Sequence, residues 1–145
     1  MNFMLEAIRL ARIAEIKGDV PVGAVIVKGN KIISKAYNKK QCKNNALLHA
    51  EIIAINKACK KLKSYRLNDC EMYVTLEPCP MCAGAIISAR IGKLYFGAYD
   101  KKAGCCGTLY NLMEGKFNHK PQVFGGIHQE ECASLLTEFF KKRRK

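Results

Sequence analysis

Four residues in two short segments combine the side-chain types and the spacing of a metal site. His49 precedes Glu51 by two positions, and Cys79 and Cys82 belong to a Pro-Cys-x-x-Cys segment. One nitrogen and two sulfur donors suit Zn²⁺, and three protein ligands leave the fourth position of a catalytic zinc open for water. We therefore predict one Zn²⁺ per subunit, bound by His49, Cys79 and Cys82. Glu51 is then the catalytic proton carrier beside the water and not a ligand.

The spacing of these residues indicates how helices must hold them. Cys79 and Cys82 are three positions apart and share one helix face, and Pro80 suits a first helical turn. His49 and Glu51 would point roughly 200° apart on a helix. They converge on one ion only if it lies beyond the helix N-terminus, toward which side chains lean. We therefore predict two helix N-termini facing one zinc ion.

Each fragment alone has other interpretations. A single Cys-x-x-Cys could be a redox pair or half of a structural zinc site, and a single histidine is more often a core residue. A redox pair would leave His49 and Glu51 unexplained. Together, the two segments match the known signature of zinc deaminases, in which the metal activates water and the glutamate moves the proton.

Charge and length restrict the class of partner. The chain of 145 residues is suited to a single domain, 1–145, with its own core, and it carries a formal net charge of +13. Residues 39–66 hold eight Lys or Arg against one acid, Glu51, and residues 141–145 form a basic C-terminal tail. Such residues can simply solvate a surface. Two clusters near a predicted active site favour a polyanion, most simply nucleic acid.

Cysteine usage and hydropathy bear on the compartment. We find no apolar run long enough to span a membrane and no secretory signal, which predicts a cytoplasmic protein without a membrane partner. Eight cysteines would suggest disulfides in a secreted chain. We interpret Cys59, Cys70 and Cys132 as small core residues, whereas Cys105 and Cys106, in a glycine-containing loop, have no assigned role.

Hydrophobic periodicity predicts an α/β fold, a three-layer α/β/α sandwich around a mixed five-stranded sheet. In the second helix we expect a buried stripe of Ile52, Ile55, Cys59 and Leu62. A strand–helix–strand succession implies parallel neighbours, with a site at their carboxyl ends. The predicted strands are 20–27, 31–37, 70–76, 93–97 and 122–124, and the predicted helices run from residue 3 to Gly18, over 49–62, over 80–89 and through an apolar stripe at 132–140.

The sequence resembles the bacterial tRNA adenosine deaminases of the cytidine deaminase-like superfamily over nearly its whole length. The zinc motifs are shared by many deaminases, whereas the Phe-Gly-Ala-x-Asp segment and the C-terminal sequence are closer to the tRNA branch. The segments that carry the resemblance are 20–25, 49–52, 65–67, 73–85, 90–92, 96–100 and 139–144.

The resemblance implies hydrolytic deamination of adenosine to inosine at the wobble position (34) of a tRNA anticodon stem-loop, that of an arginine tRNA, by a homodimer. It also implies substrate contacts at Asn38, Ala50 and Asp100, and a basic C-terminal helix that grips the RNA. The sequence departs from the usual pattern at 46–48 and 102–108. Two alternatives remain: a guanine or cytosine/nucleoside deaminase acting on free substrates, and a non-catalytic zinc-containing RNA-binding module.

Overall fold

A computed structural model describes residues 2–143, so the last two positions of the basic tail lie outside the described residues. These residues form four helices and five strands, with a short 3₁₀ helix at Leu112–Glu114. The predicted α/β class is confirmed. The elements are α1 Phe3–Ile16, β1 Gly23–Lys28, β2 Lys31–Tyr37, α2 Ala50–Leu62, β3 Cys70–Leu76, α3 Pro80–Ser88, β4 Lys93–Ala98, β5 Gln122–Phe124 and α4 Gln129–Arg143.

The five strands form one mixed sheet in the order β2-β1-β3-β4-β5. β1 is antiparallel to β2 and to β3, whereas β3, β4 and β5 are parallel. The parallel arrangement of β3 and β4 brings the segments that follow these strands to the same edge of the sheet. The Pro-Cys-x-x-Cys segment follows β3, so this edge is where the candidate chemistry lies.

Helices cover both faces of the sheet, which gives three layers. Along β1, Ala24 and Ile26 join a core with α2 and α3, while Val25 and Val27 face α1. This alternation follows from the two-residue period of a strand. Burial on both faces also explains why β1 is a continuous apolar run.

The first strand is shorter than predicted. It begins at Gly23 and not at residue 20, because the Val22 N–H bonds back to the Val20 carbonyl in a tight turn. Gly23 then lies directly against α1, where a Cβ would collide with the Ala7 carbonyl oxygen. The apolar pattern predicted a strand from residue 20, whereas the turn at 20–22 delays its start to Gly23.

The predicted buried stripe of α2 is confirmed at Ile55 and holds only in part at its other positions. Ile52, Cys59 and Leu62 are half-buried, and Cys59 and Leu62 still pack against the core. The fully buried positions are mainly small residues, Ala50, Ala54 and Ala58, together with Glu51. Small side chains at these positions let the helix lie close to the sheet.

None of the helices described in residues 2–143 is long and apolar enough to cross a membrane.

Candidate metal and active site

His49 and Cys79 each occupy the N-cap position of a helix. His49 precedes α2 and Cys79 precedes α3, and both have extended backbone angles. Neither side chain makes a capping hydrogen bond, so both are directed away from their own helix ends. Pro80 occupies the first turn of α3, where its missing N–H costs nothing. The two helix N-termini therefore present their side chains to one point.

The three donor atoms lie at the separations that a tetrahedral zinc ion requires. The His49 Nδ1 atom lies 3.7 Å from Cys79 Sγ and 3.5 Å from Cys82 Sγ. With Zn–S bonds of about 2.3 Å and Zn–N bonds of about 2.0–2.1 Å, nitrogen and sulfur donors of a tetrahedral site lie about 3.6 Å apart. Within residues 2–143, these three residues are the one cluster of His, Cys, Asp or Glu side chains whose donor atoms lie close enough together to hold a metal ion. The donor set therefore fits zinc.

The protonation of the cysteine pair is consistent with metal binding. A hydrogen bond with Cys82 lowers the pKa of Cys79 to about 4, and His49 adds to this effect. The same contact, together with burial, raises the pKa of Cys82. The position of Cys79 at the N-terminus of α3 also favours its thiolate form. Zinc binding requires both cysteines as thiolates.

Glu51 lies next to this group but outside the donor set. Its side chain is 4% exposed, and burial raises the pKa of its carboxyl group to about 7. A carboxyl group that titrates near neutral pH can both accept and donate a proton. Glu51 also lines the cavity described next, so it can reach a bound molecule.

A cavity of about 680 Å³ opens at this edge of the sheet. Its buried end contains Glu51, with His49 and Cys79 half-buried beside it. Two exposed rings, Tyr99 and Phe140, also line it. Its basic lining consists of Lys40, Lys101, Lys102 and Arg143. The base of a nucleotide could enter such a cavity while the phosphates stay outside, near the basic side chains.

The three predicted substrate contacts have different surroundings. Asn38 and Asp100 line the cavity, whereas Ala50 is fully buried and is not part of the lining. The Ala50 N–H donates to Asn38 Oδ1 at 2.8 Å. Asp100 accepts hydrogen bonds from the N–H groups of Lys102 and Ala103, which shapes the turn after β4.

Sequence reasoning missed two buried carboxylates beside the cavity. Asp19, at the end of α1, accepts N–H groups from Val20 and Gln41 and so anchors the loop that leads to His49. Glu77 accepts several N–H groups from the loop after β4. An acid at the apolar end of a strand, directly before the Pro-Cys segment, was the available signal for Glu77.

The remaining cysteines and histidines lie outside the donor set. Cys105 and Cys106 are buried, and burial raises the pKa of both thiols. Cys70 and Cys132 are buried as predicted, but Cys59 is only half-buried. The His119 ring bonds the Ile91 carbonyl, which is a structural contact.

Comparison with known proteins assigns the chain to a family. Residues 1–144 match a family model described as MafB19-like deaminase. The tRNA-specific adenosine deaminase of Bacillus subtilis (strain 168) is 49% identical over 144 residues, which are 99% of this chain and 89% of the relative. This chain belongs to the tRNA-specific adenosine deaminase family. The resemblance predicted from the motifs is confirmed.

Solved structures extend this family comparison. A tRNA:A34 deaminase, studied for A-to-I editing at the wobble position, superposes with a TM-score of 0.90 at 40% identity, covering 92% of this chain and 98% of that chain. The guanine deaminase of Bacillus subtilis superposes with a TM-score of 0.68 at 33% identity, covering 97% and 95%. Both comparisons support the deaminase fold, and the tRNA-specific adenosine deaminase family is the more similar of the two groups.

Proposed function

We propose that this protein is an enzyme that hydrolytically deaminates adenosine to inosine at the wobble position (34) of tRNA. The observation that carries the proposal is a three-donor metal site with a buried glutamate at the inner end of a cavity that has a basic lining. Membership in the tRNA-specific adenosine deaminase family supports the same reaction and substrate. The whole chain, 1–145, acts as one catalytic domain.

His49, Cys79 and Cys82 are the proposed zinc ligands, with one Zn²⁺ per subunit. When bound, zinc would supply a water whose pKa falls from 15.7 to about 7, so that a nucleophile exists at neutral pH. Because the described residues offer three donors and no fourth cysteine in this group, the arrangement favours an open site over a closed structural one.

Glu51 moves the protons of the reaction. It takes a proton from the water that adds to C6 of adenine and delivers it to N1. It then moves the remaining hydroxyl proton to the amino group, the C6–N bond breaks, and ammonia leaves as the C6 carbonyl of inosine forms. Its burial suits this work, because a carboxyl group with a pKa near 7 can accept and return a proton. Proton transfer of this kind is worth about 10²–10⁴-fold in rate.

The proposed RNA partner is the anticodon stem-loop of an arginine tRNA. An anticodon loop offers unpaired bases that can be splayed out, which a base must be to reach a buried C6 atom. Lys40, Lys101, Lys102 and Arg143 would contact phosphates around the cavity, and Tyr99 and Phe140 offer faces for neighbouring bases. The arginine identity rests on the family resemblance alone.

Asn38 and Asp100 are proposed to contact the substrate nucleotide and its neighbours. Their position in the cavity lining supports this role. For Ala50 we propose an indirect role, since its N–H fixes the Asn38 side chain.

Assembly and compartment are part of the same proposal. We propose a homodimer, whose interface would bury apolar side chains that are exposed in the single subunit, such as Leu109, Tyr110, Phe117 and Phe124. We also propose a cytoplasmic location, where reducing conditions would keep the cysteines free of disulfides, so that Cys79 and Cys82 stay available to bind zinc.

One experiment separates this function from its two rivals. The purified protein is incubated with free guanine, with cytidine and with an unmodified tRNA transcript, and ammonia and inosine are measured. We expect inosine at position 34 of the tRNA and no release of ammonia from the free substrates. Deamination of guanine or cytidine alone would establish a free-substrate enzyme, and RNA binding without ammonia would establish a non-catalytic module.

A further inference from the structure

The loop after β4 forms one wall of the cavity. Tyr99, Asp100, Lys101, Lys102 and Ala103 all line it. The loop has no strand or helix of its own, and the Asp100 side chain bonds the N–H groups of Lys102 and Ala103 within it. Three further N–H groups of the loop bond to one side chain outside it.

That side chain is Glu77, which is 1% exposed. Its Oε1 atom accepts the Asp100 N–H at 3.0 Å, at the start of the loop. Its Oε2 atom accepts the N–H groups of Cys106 at 3.0 Å and Thr108 at 3.1 Å, near the end of the loop. The Thr108 hydroxyl donates to Oε1. A carboxylate is an acceptor at both oxygens, so it satisfies all four donors at once.

Two further features show that the loop is built around this carboxylate. The Cys105 N–H donates to the Pro78 carbonyl at 2.9 Å, beside the same segment. A Cβ at Gly104 would lie 2.5 Å from the Glu77 carboxyl carbon, so the close approach of the backbone requires glycine. Glu77 is also two residues before Cys79, which ties the loop to the segment that carries the proposed metal ligand.

We propose that Glu77 is a positioning residue that holds the loop 99–108 in the shape that receives RNA. It joins both ends of the loop to the segment between β3 and α3, and so fixes the cavity wall relative to the proposed metal site. Glu77 borders the cavity, but its two carboxylate oxygens are engaged by donors of the loop, so we assign it a positioning role. This inference rests on the proposed function, since it assigns the loop to RNA recognition at the same site.

The central test is the Glu77→Gln variant. The amide is nearly the same size, but its NH₂ group faces N–H donors where an oxygen accepted them, so the loop should loosen. We expect the KM for an anticodon hairpin to rise about tenfold or more, the effect of losing about one charge-assisted hydrogen bond. We expect kcat at saturating RNA to change less than about threefold and zinc content to stay the same.

Two more variants change loop residues that lie against Glu77. Thr108→Val removes one of the four donors and should raise KM in the same direction by a smaller factor. Gly104→Ala forces the backbone away from the carboxylate and should reproduce the Glu77→Gln effect without altering Glu77. Because the three residues act as one unit, the Glu77→Gln/Gly104→Ala double variant should raise KM less than the product of the single effects.

A control variant separates positioning from general destabilisation. Leu94→Ala removes a buried side chain near the start of β4, at the opposite end of the strand from the loop. It should lower the melting temperature while leaving KM unchanged below the transition. Residue-resolved amide hydrogen exchange adds a readout that needs no activity. The amides of Asp100, Cys106 and Thr108 should exchange faster in Glu77→Gln and not in Leu94→Ala.

The outcomes distinguish this inference from the proposed function. If the wild-type protein edits RNA but Glu77→Gln retains the wild-type KM and amide protection, the positioning role is overturned. A fall in kcat or zinc content at unchanged KM would also overturn it, because Glu77 would then act on the metal segment and not on the loop. If the wild-type protein does not deaminate RNA, the proposed function fails, while the exchange data still decide whether Glu77 orders the loop.

Discussion

The Asn38 side-chain oxygen accepts the Ala50 N–H at 2.8 Å, so the residue proposed to contact the substrate is fixed to the first turn of the helix that carries Glu51. This bond satisfies one of the N–H groups that a helix start leaves without an intrahelical partner. It also fixes which end of the Asn38 amide remains for a ligand. The NH₂ group is then the end that can donate to a bound base.

The first prediction separates these two roles of Asn38. Asn38→Asp keeps the acceptor for Ala50 but removes the NH₂ donor, so stability should be kept and RNA deamination reduced by about tenfold or more in kcat/KM. Asn38→Ala removes both and should also lower the free energy of unfolding by about 1 kcal/mol. Denaturant titration and steady-state kinetics measure the two effects. Wild-type kcat/KM in Asn38→Asp would show that the amide does not contact the substrate.

The second prediction concerns the proton carrier. Glu51→Gln should retain zinc and fold normally, but kcat should fall by about 10²–10⁴-fold, because the amide cannot accept the proton of the water. Single-turnover formation of inosine and elemental analysis of zinc provide the readouts. Glu71→Gln is the matched control, because Glu71 pairs with Lys93 at the opposite edge of the sheet. Normal turnover by the Glu51→Gln protein would mean that another group moves the proton.

The third prediction concerns the metal ligands. Cys82→Ser should lose tightly bound zinc, whereas Cys105→Ala should keep it, because Cys105 is outside the three-donor group. X-ray absorption of the wild-type protein should find one nitrogen, two sulfur and one oxygen ligand at zinc. A third sulfur at the metal would identify a closed structural site and remove the position for water.

The fourth prediction concerns the lysines that would neutralise phosphates. RNA affinity should fall with salt, and replacing both Lys101 and Lys102 by Gln should reduce the slope of log K against log salt by about 0.7 for each phosphate that is no longer neutralised. The control pair is Lys28 and Lys31, at the turn between β1 and β2 and far from the cavity edge. Equal slopes for the two double variants would show that charge acts over the whole surface and not at the cavity.

The sequence was sufficient to predict the four helices and five strands and their order, because apolar runs or apolar periods mark most of them. It could also indicate that His49 and Glu51 meet at a helix N-terminus, since their spacing excludes convergence along a helix side. The buried face of α2 was predicted less well. The apolar pattern ranked Ile52 and Leu62 above the alanines by hydrophobicity, whereas the residues that lie closest to the sheet are selected by their small size.

The hydrogen-bond partners of Glu77 and Asp19 could not be predicted from the sequence, for another reason. Their partners are backbone N–H groups from segments far away in the chain, such as Thr108 for Glu77 and Gln41 for Asp19. A backbone donor has no sequence signature, so only the folded chain reveals which loop a buried carboxylate holds. The side chains that shape the cavity are therefore less predictable than those that would bind the metal.

The most direct measurement of the central claim is the reaction of the purified zinc protein with an A34 anticodon hairpin of an arginine tRNA in H₂¹⁸O. Mass spectrometry of the digested RNA then reports both the edited position and the source of the new oxygen. We predict inosine at position 34 carrying one ¹⁸O atom, with ammonia released in equal amount and product formation by Glu51→Gln slower by about 10²-fold or more. An RNA that stays unedited in the presence of zinc-loaded wild-type protein would contradict the account.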